Sequence, residues 1–128
     1  MREVEEAKAW LAGAKHLVDV ERSRERFTVA VAMSIHSIIR ANDALTLRFL
    51  KRRSTRHEDA GMLFREIIKQ RKIDMKYAGL RKVLARAIPQ KSFYDYKGAE
   101  VGKEEAERWV REAERFISTV EEILGVGG

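Results

Sequence analysis

Cysteine is absent from this chain of 128 residues, and proline occurs once. Without cysteine, a disulfide framework, a cysteine-rich zinc site and thiol chemistry are all excluded. Long apolar runs are also missing, since the longest, Phe27 to Ile35, is far shorter than the roughly 20 residues of a membrane span. No N-terminal segment resembles a signal peptide. We therefore expect a cytoplasmic protein with no membrane contact.

Hydrophobic residues make up 45% of the chain, which is enough to fill the core of one domain of this size. We predict a single helical domain over residues 1–124 and a flexible glycine-rich tail over residues 125–128. Apolar residues recur at steps of three and four, which is typical of amphipathic helices. No segment alternates with period two for long enough to be a strand. The fold class is therefore predicted as all-α, an antiparallel bundle of four or five helices.

The predicted helix limits depend on a few punctuating residues. Helix 1 covers about Arg2 to Glu21, and helix 5 about Lys103 to Leu124; Trp10 and Trp109 each anchor a layer of the core. The other limits follow from capping signals and from proline: Ser23 caps helix 2 (about Arg24 to Lys51), Thr55 and Glu58 form a capping box for helix 3 (to about Gln70), Asp74 caps helix 4, and Pro89 ends it. Asn42 and Asp43 interrupt the apolar pattern of helix 2, so we expect them to face solvent or make a specific hydrogen bond.

The net charge of +6 is distributed unevenly along the chain. Residues 1–50 carry +1, residues 51–91 carry +9, and residues 92–128 carry −4. Two interpretations stay open. The acidic last helix neutralises the basic centre within the molecule, or the centre is a surface for a phosphate-rich partner such as RNA or a nucleotide.

The first candidate site is the basic sequence KRRSTRH, residues 51–57. Its positive charge at a helix start opposes the helix dipole, so another interaction has to favour it. The functional interpretation is a phosphate clamp formed by Arg52, Arg53 and Arg56, and the alternative is a solvated turn. Lys82 and Arg86, four residues apart on the outer face of helix 4, add to the same basic surface.

The second candidate site lies between Pro89 and Glu105, where the helical pattern stops. Here Lys91, Ser92, Tyr94 and Tyr96 combine a cation with aromatic rings, which can pair with phosphate and stack on bases. The same side chains could instead close the end of the bundle or form a subunit contact. His16 and His36 are interpreted as structural, no spacing of a metal site occurs, and no cofactor is expected.

Several segments resemble the HEPN superfamily (higher eukaryotes and prokaryotes nucleotide-binding domains), particularly its small stand-alone prokaryotic and archaeal members. The similar segments are EEAKAWLAGAKHLV (residues 5–18), the long helix 2, TRHEDAGMLFREI (residues 55–67) and EVGKEEAERWVREAERFISTVEEIL (residues 100–124). The resemblance implies a helical bundle that forms a homodimer. It also implies RNA or nucleotide binding, and a nucleotidyltransferase-like antitoxin as a candidate partner.

Active members of that family carry Arg-x(4–6)-His before the last long helix as a metal-independent ribonuclease motif. The matching positions here are Lys91 and Tyr96. A tyrosine with a pKa near 10 is only about 0.1% ionised at pH 7, whereas a histidine is near half-titrated. As a general base, tyrosine is therefore weaker than histidine by a factor of roughly 10³. Lysine also lacks the planar grip of arginine on a phosphate. Arg52 and His57 satisfy Arg-x4-His literally, but at the start of helix 3, and we interpret that match as a coincidence.

These observations leave three hypotheses. The leading one is a HEPN-like protein that binds RNA or nucleotide phosphates without strong nuclease activity. The second is an interaction module of a toxin–antitoxin-type pair. The third is a residual metal-independent endoribonuclease that uses Tyr96 or His57.

Overall fold

The protein is described by a computed structural model that covers residues 1–20, 22, 25–96 and 101–125, with the backbone alone for residues 91–96. The described part contains a short 3-10 helix (Met75–Tyr77) and five α-helices: α1 (Arg2–Asp19), α2 (Arg26–Leu50), α3 (Asp59–Lys69), α4 (Leu80–Tyr96) and α5 (Lys103–Leu124). No strand occurs in it, so the predicted all-α class is confirmed. The antiparallel order of the helices and the single domain over 1–124 stay predictions.

Helix α2 is the centre of the fold, since it packs against each of the other four α-helices. Its apolar pattern is wide enough to face neighbours on several sides, as its sequence predicts. The largest fully buried apolar side chains come from α1 to α5 and form one core: Phe64, Phe116, Ile35, Ile38, Leu45, Ile67, Leu84, Val4, Val31 and Val120. Burial of this apolar surface is the main force that favours folding.

The two tryptophans have different environments. Trp109 of α5 is buried, at 5% exposed, and belongs to the core as predicted. Trp10 of α1 is 38% exposed, so the prediction that it anchors a core layer is wrong. Leu11 and Ala14 take the buried positions on that face of α1, and Trp10 lies at its edge.

The structure corrects two predicted helix starts and confirms one predicted helix end. Helix α2 begins at Arg26 after Glu25, and Ser23, its predicted cap, lies outside the described residues. Asp74 caps the 3-10 helix that precedes α4, by accepting a hydrogen bond from the Lys76 amide at 2.8 Å. Helix α5 ends at Leu124 as predicted, with Gly125 in the left-handed conformation; residues 126–128 of the predicted tail lie outside the described residues.

Pro89 does not end α4, which continues through it to Tyr96. Proline removes one amide donor, so the Ala85 carbonyl has no helical partner four residues on. Its fixed φ is nevertheless close to the helical value, and later residues keep their own amides. The predicted irregular segment between Pro89 and Glu105 is therefore helical over residues 89–96 and again from Lys103.

Helix α3 begins at Asp59, so the capping box predicted from Thr55 and Glu58 is wrong. The Asp59 carboxylate accepts hydrogen bonds from the Arg56 amide and from the Thr55 hydroxyl, both at 3.2 Å. Desolvation acts to raise the pKa of Asp59, but these bonds and the charge of Arg56 outweigh it and lower the pKa below its ordinary value. A carboxylate in the first turn also suits the helix dipole.

None of the helices in the described ranges combines the length and the apolar character needed to cross a membrane.

Candidate functional site

One face of α2 carries polar side chains towards the chain segment that follows the helix. His36, Arg40 and Asp43 are spaced by four and three residues, so they lie on one side of α2. Ile39 accompanies them as the apolar member of that face. This row is the floor of the candidate site.

Residues 51–58, which we call the basic turn, fold back over this face. Helix α2 ends abruptly at Lys51, whose φ of 61° is left-handed. The Asp43 carboxylate, only 5% exposed, then accepts two hydrogen bonds from Ser54, one from its amide at 3.2 Å and one from its hydroxyl at 2.8 Å. Hydrogen bonds to an ionised acceptor are stronger than neutral ones. Asp43 therefore fastens the basic turn to α2.

A second polar contact fastens the start of α3 to the same part of α2. The side-chain amide of Asn42 donates to the Ala60 carbonyl at 3.0 Å, and both residues are fully buried. Asn42 and Asp43, the two residues that interrupt the apolar pattern of α2, thus make specific hydrogen bonds, which is the second of the two alternatives predicted for them.

Between α2 and the basic turn lies an open cavity of about 330 Å³, which we call the turn cleft. Its lining comes from two neighbouring parts of the chain: His36, Ile39, Arg40 and Asp43 of α2, and Arg53, Ser54, Thr55 and His57 of the basic turn. Cavities of this size are at the lower end of those that bind small molecules.

Three rings form a continuous row that leads into the turn cleft: His36 and His57 line the cleft, and Trp10 contacts His36. The centroids of Trp10 and His36 are 4.3 Å apart with tilted planes, and those of His36 and His57 are 5.8 Å apart in an edge contact. Such separations are within the range of favourable ring contacts. The row brings together one residue each of α1, α2 and the basic turn, none of which is close to the others in sequence.

The charged residues on the floor of the cleft pair with one another or with Glu6, whereas a cation at its rim has no carboxylate partner in the described residues. Arg40 lies between Asp43, with Nη1 and Oδ2 3.5 Å apart, and Glu6, with Nε and Oε2 3.2 Å apart. Arg56 pairs with Glu58 and Asp59. Arg53 is exposed, lines the cleft and makes no ion pair within the residues that the structure describes. Arg53 is therefore the cation that an anionic ligand could contact without displacing a carboxylate.

The other predicted site residues lie elsewhere. Arg52 lines a separate groove between the end of α2 and α3. Lys82 and Arg86 are exposed on α4, and Arg86 lies 3.5 Å from Glu112 of α5. The last turns of α4 contain the other four predicted residues, Lys91, Ser92, Tyr94 and Tyr96. The structure describes only their backbone, so the predicted roles of their side chains lie outside what it describes.

The acidic face of α5 contributes to charge neutralisation, as one of the two predicted interpretations requires. Glu112 contacts Arg86 of the basic segment. Glu121 and Glu114 contact α1 instead, at Lys8 (2.7 Å) and Lys15 (3.5 Å). The hydrogen bond to Glu121 raises the pKa of Lys8. Part of the negative charge of α5 therefore pairs with lysines of α1, and none of these three glutamates pairs with a cation of the basic turn.

Sequence reasoning did not assign Trp10, His36, Arg40 or Asp43 to a site. His36 and Asp43 carried a signal, because each is a polar residue in an apolar helix. Trp10 carried none, since an aromatic residue on an apolar stripe is usually a core residue. In the described part of the chain, no three acidic or histidine side chains come together as a potential metal site.

Among the comparisons with known proteins, only the one with protein families gives a match. A family model described as HEPN domain matches residues 2–123, nearly the whole chain. No curated protein and no solved structure matches the sequence.

Proposed function

The chain belongs to the HEPN domain family, and from that premise we propose that it binds RNA or free nucleotides through their phosphate groups in the turn cleft. The observation that carries the proposal is Arg53, an exposed guanidinium with no ion pair in the described residues, at the rim of a cavity lined by His36 and His57. Arginine offers planar, paired donors that match a phosphate. Asp43 also lines the cleft, but Arg40 and the two Ser54 donors compensate its charge.

The surrounding charge supports the same partner class. Residues 51–91 carry +9; within the basic turn, Arg53 lines the cleft, and Lys51 and Arg52 line the separate groove between the end of α2 and α3. A concentration of positive charge raises the local concentration of a polyanion and speeds its association. A single-stranded RNA longer than the cleft would continue over this surface.

The test is a titration of a fluorescently labelled single-stranded RNA at several salt concentrations. Neutralising one phosphate of a single strand contributes about −0.7 to the slope of log K against log salt, so Arg53→Ala should reduce the slope by about that amount. The affinity at low salt should fall on the order of five-fold, as for an exposed ionic contact.

Arg65→Ala is the matched control, because Arg65 is exposed on α3, lies outside the cleft lining and carries the same charge. Equal losses for the Arg53 and Arg65 variants would mean that the charge acts diffusely and that the cleft is not the site. An affinity independent of salt would remove the electrostatic basis of the proposal.

A second candidate function, RNA cleavage, is favoured by the contact between His36 and His57. Histidine titrates near neutral pH, so two adjacent imidazoles can serve as general base and general acid. One imidazole would remove the proton of a ribose 2′-hydroxyl, whose oxygen attacks the phosphorus. The bond to the 5′ oxygen breaks, and the other imidazole, as imidazolium, protonates that leaving oxygen. The products are a 2′,3′-cyclic phosphate and a 5′-hydroxyl end.

Chromatography of RNA products tests this second candidate. His36→Ala and His57→Ala should each abolish the cyclic-phosphate product, while Tyr96→Phe tests the alternative base on α4. Cleavage that persists in both histidine variants would assign the activity to another site or to a contaminant.

The predicted homodimer, the nucleotidyltransferase-like antitoxin partner and the cytoplasmic location stay proposals of the family resemblance. Light scattering on the purified chain measures its assembly state directly. Purification from cells shows whether a second protein, such as a nucleotidyltransferase-like antitoxin, is bound to it.

A further inference from the structure

Trp10 is an exposed aromatic residue with an unusual position. It lies on α1 and its ring contacts His36, which lines the turn cleft. At 38% exposed it leaves a large apolar surface in water, whereas Trp109 is 5% exposed. Indole is the largest ring that a protein can offer, and an exposed ring beside a basic cleft is a feature of surfaces that bind unpaired bases.

The ring row gives this surface a direction. From Trp10 it runs through His36 to His57, with centroid separations of 4.3 and 5.8 Å, and Arg53 lies on the same cleft as the last two rings. A nucleotide has the corresponding arrangement, since a flat base and an anionic phosphate are joined by a ribose. A phosphate at Arg53 would leave its base close to the ring row.

We propose that the indole of Trp10, against which the His36 ring packs at a tilt of 57°, is a stacking platform for one unpaired nucleobase whose phosphate is bound at Arg53. This inference rests on the proposed phosphate site and adds the part of the ligand that the phosphate site does not define. The ligand class is a nucleotide unit with an accessible base, either as a free mononucleotide or within single-stranded RNA. A base-paired duplex would not fit, because its bases are stacked on each other.

The tryptophan content makes the inference directly measurable. The chain has two tryptophans, so Trp109→Phe leaves Trp10 as the single indole fluorophore. This substitution removes an indole Nε1 that has no hydrogen-bond partner in the described residues, so it breaks no polar contact. If the variant fails to fold, 5-fluorotryptophan in the unchanged protein gives separate ¹⁹F signals for the two residues.

The experiment titrates AMP, ribose 5-phosphate and a single-stranded hexa-adenylate against this protein. We expect AMP and the hexanucleotide to quench or shift the Trp10 signal and ribose 5-phosphate to leave it unchanged. Trp10→Ala should weaken binding of the base-bearing ligands about 5- to 150-fold, the range for one stacked base, with little effect on ribose 5-phosphate. Trp10→Phe, which keeps a flat ring, should retain most of the affinity.

The outcomes separate this inference from the proposed function. Equal binding of AMP and ribose 5-phosphate, both unaffected by Trp10→Ala, would overturn the platform and leave the phosphate site intact. An equal loss of both ligands in Trp10→Ala would assign Trp10 a structural role and also overturn it. Failure of every ligand to bind would overturn both proposals. A change of the Trp10 signal with the hexanucleotide but not with AMP would support the platform and identify RNA as its source, whereas hexanucleotide binding that leaves the Trp10 signal unchanged would overturn it.

Discussion

The hydrogen bonds between Asp43 and Ser54 should stabilise both the fold and the turn cleft, and Asp43→Ala tests this. The substitution removes an acceptor that is 5% exposed and bonded to the Ser54 amide at 3.2 Å and hydroxyl at 2.8 Å. Each hydrogen bond to a charged group contributes about 1.5–3 kcal/mol. Two effects offset part of this loss: the variant no longer pays the cost of burying a charged carboxylate, and alanine has a higher helix propensity than aspartate. We expect the free energy of unfolding to fall by about 2–4 kcal/mol.

Urea denaturation followed by circular dichroism at 222 nm measures this change. With a slope of about 2 kcal/mol per M of urea, the middle of the usual range, the midpoint should fall by about 1–2 M. Ser54→Ala removes the hydroxyl and keeps the amide donor, so it should cost about half as much. A double-mutant cycle between the two substitutions isolates the hydroxyl bond, with an expected coupling of about 1.5 kcal/mol.

Asp43→Ala should also weaken phosphate binding, although Asp43 is not proposed to touch the ligand. Without it, the basic turn loses its attachment to α2, and Arg53 and His57 lose their defined positions. A stability change below about 0.5 kcal/mol, or a coupling near zero, would refute the reasoning that these bonds fix the turn. Unchanged RNA affinity in a destabilised variant would show that the cleft keeps its shape by other contacts.

Three further predictions concern the fold. Pro89→Ala supplies the amide that Ala85 lacks in α4, so the free energy of unfolding should rise by about 1–2 kcal/mol; an unchanged urea midpoint would contradict this. Phe116→Ala, at a fully buried position, should cost about 3–5 kcal/mol in the same assay, and a loss under 1 kcal/mol would contradict the core assignment. The lowered pKa of Asp59 means that its contribution to the free energy of unfolding is present above about pH 4 and is lost as the pH falls through its folded pKa. The urea midpoint of the unchanged protein should therefore decrease more steeply between about pH 5 and about pH 2.5 than the midpoint of Asp59→Asn. Parallel profiles would contradict this role of Asp59.

Much of the fold follows from periodicity alone. Helix α5 has the limits that its apolar spacing predicts, and its inward residues from Ala106 to Val120 are buried. Such segments are predictable because burial of one apolar face contributes most to their stability and repeats along the helix. The predictions failed where a single local signal was used, as at Pro89 and Thr55. A proline lowers the stability of a helix, but the rest of α4 can outweigh it. The Thr55 hydroxyl donates to Asp59 instead of accepting from an amide of α3, so the predicted capping box does not form.

The site was less predictable than the fold, for a physical reason. Its cations in the basic turn are visible in the sequence as a charge run. Its ring row and its floor are not, since Trp10, His36 and His57 meet only after α1, α2 and the turn have packed. The polar residues Asn42 and Asp43 indicated that α2 makes specific contacts. Their partners, Ala60 and Ser54, are 18 and 11 residues away and depend on where the chain reverses.

The position of the floor residues on α2 has a practical consequence. His36, Arg40 and Asp43 belong to α2, against which the other four α-helices pack, and they form the floor of the turn cleft. A compound that occupies it should raise the melting temperature of the whole chain, by the linkage between occupancy and the native state. Libraries of small phosphorylated metabolites can therefore be ranked by thermal shift alone, without a label, an activity assay or a candidate for the physiological ligand.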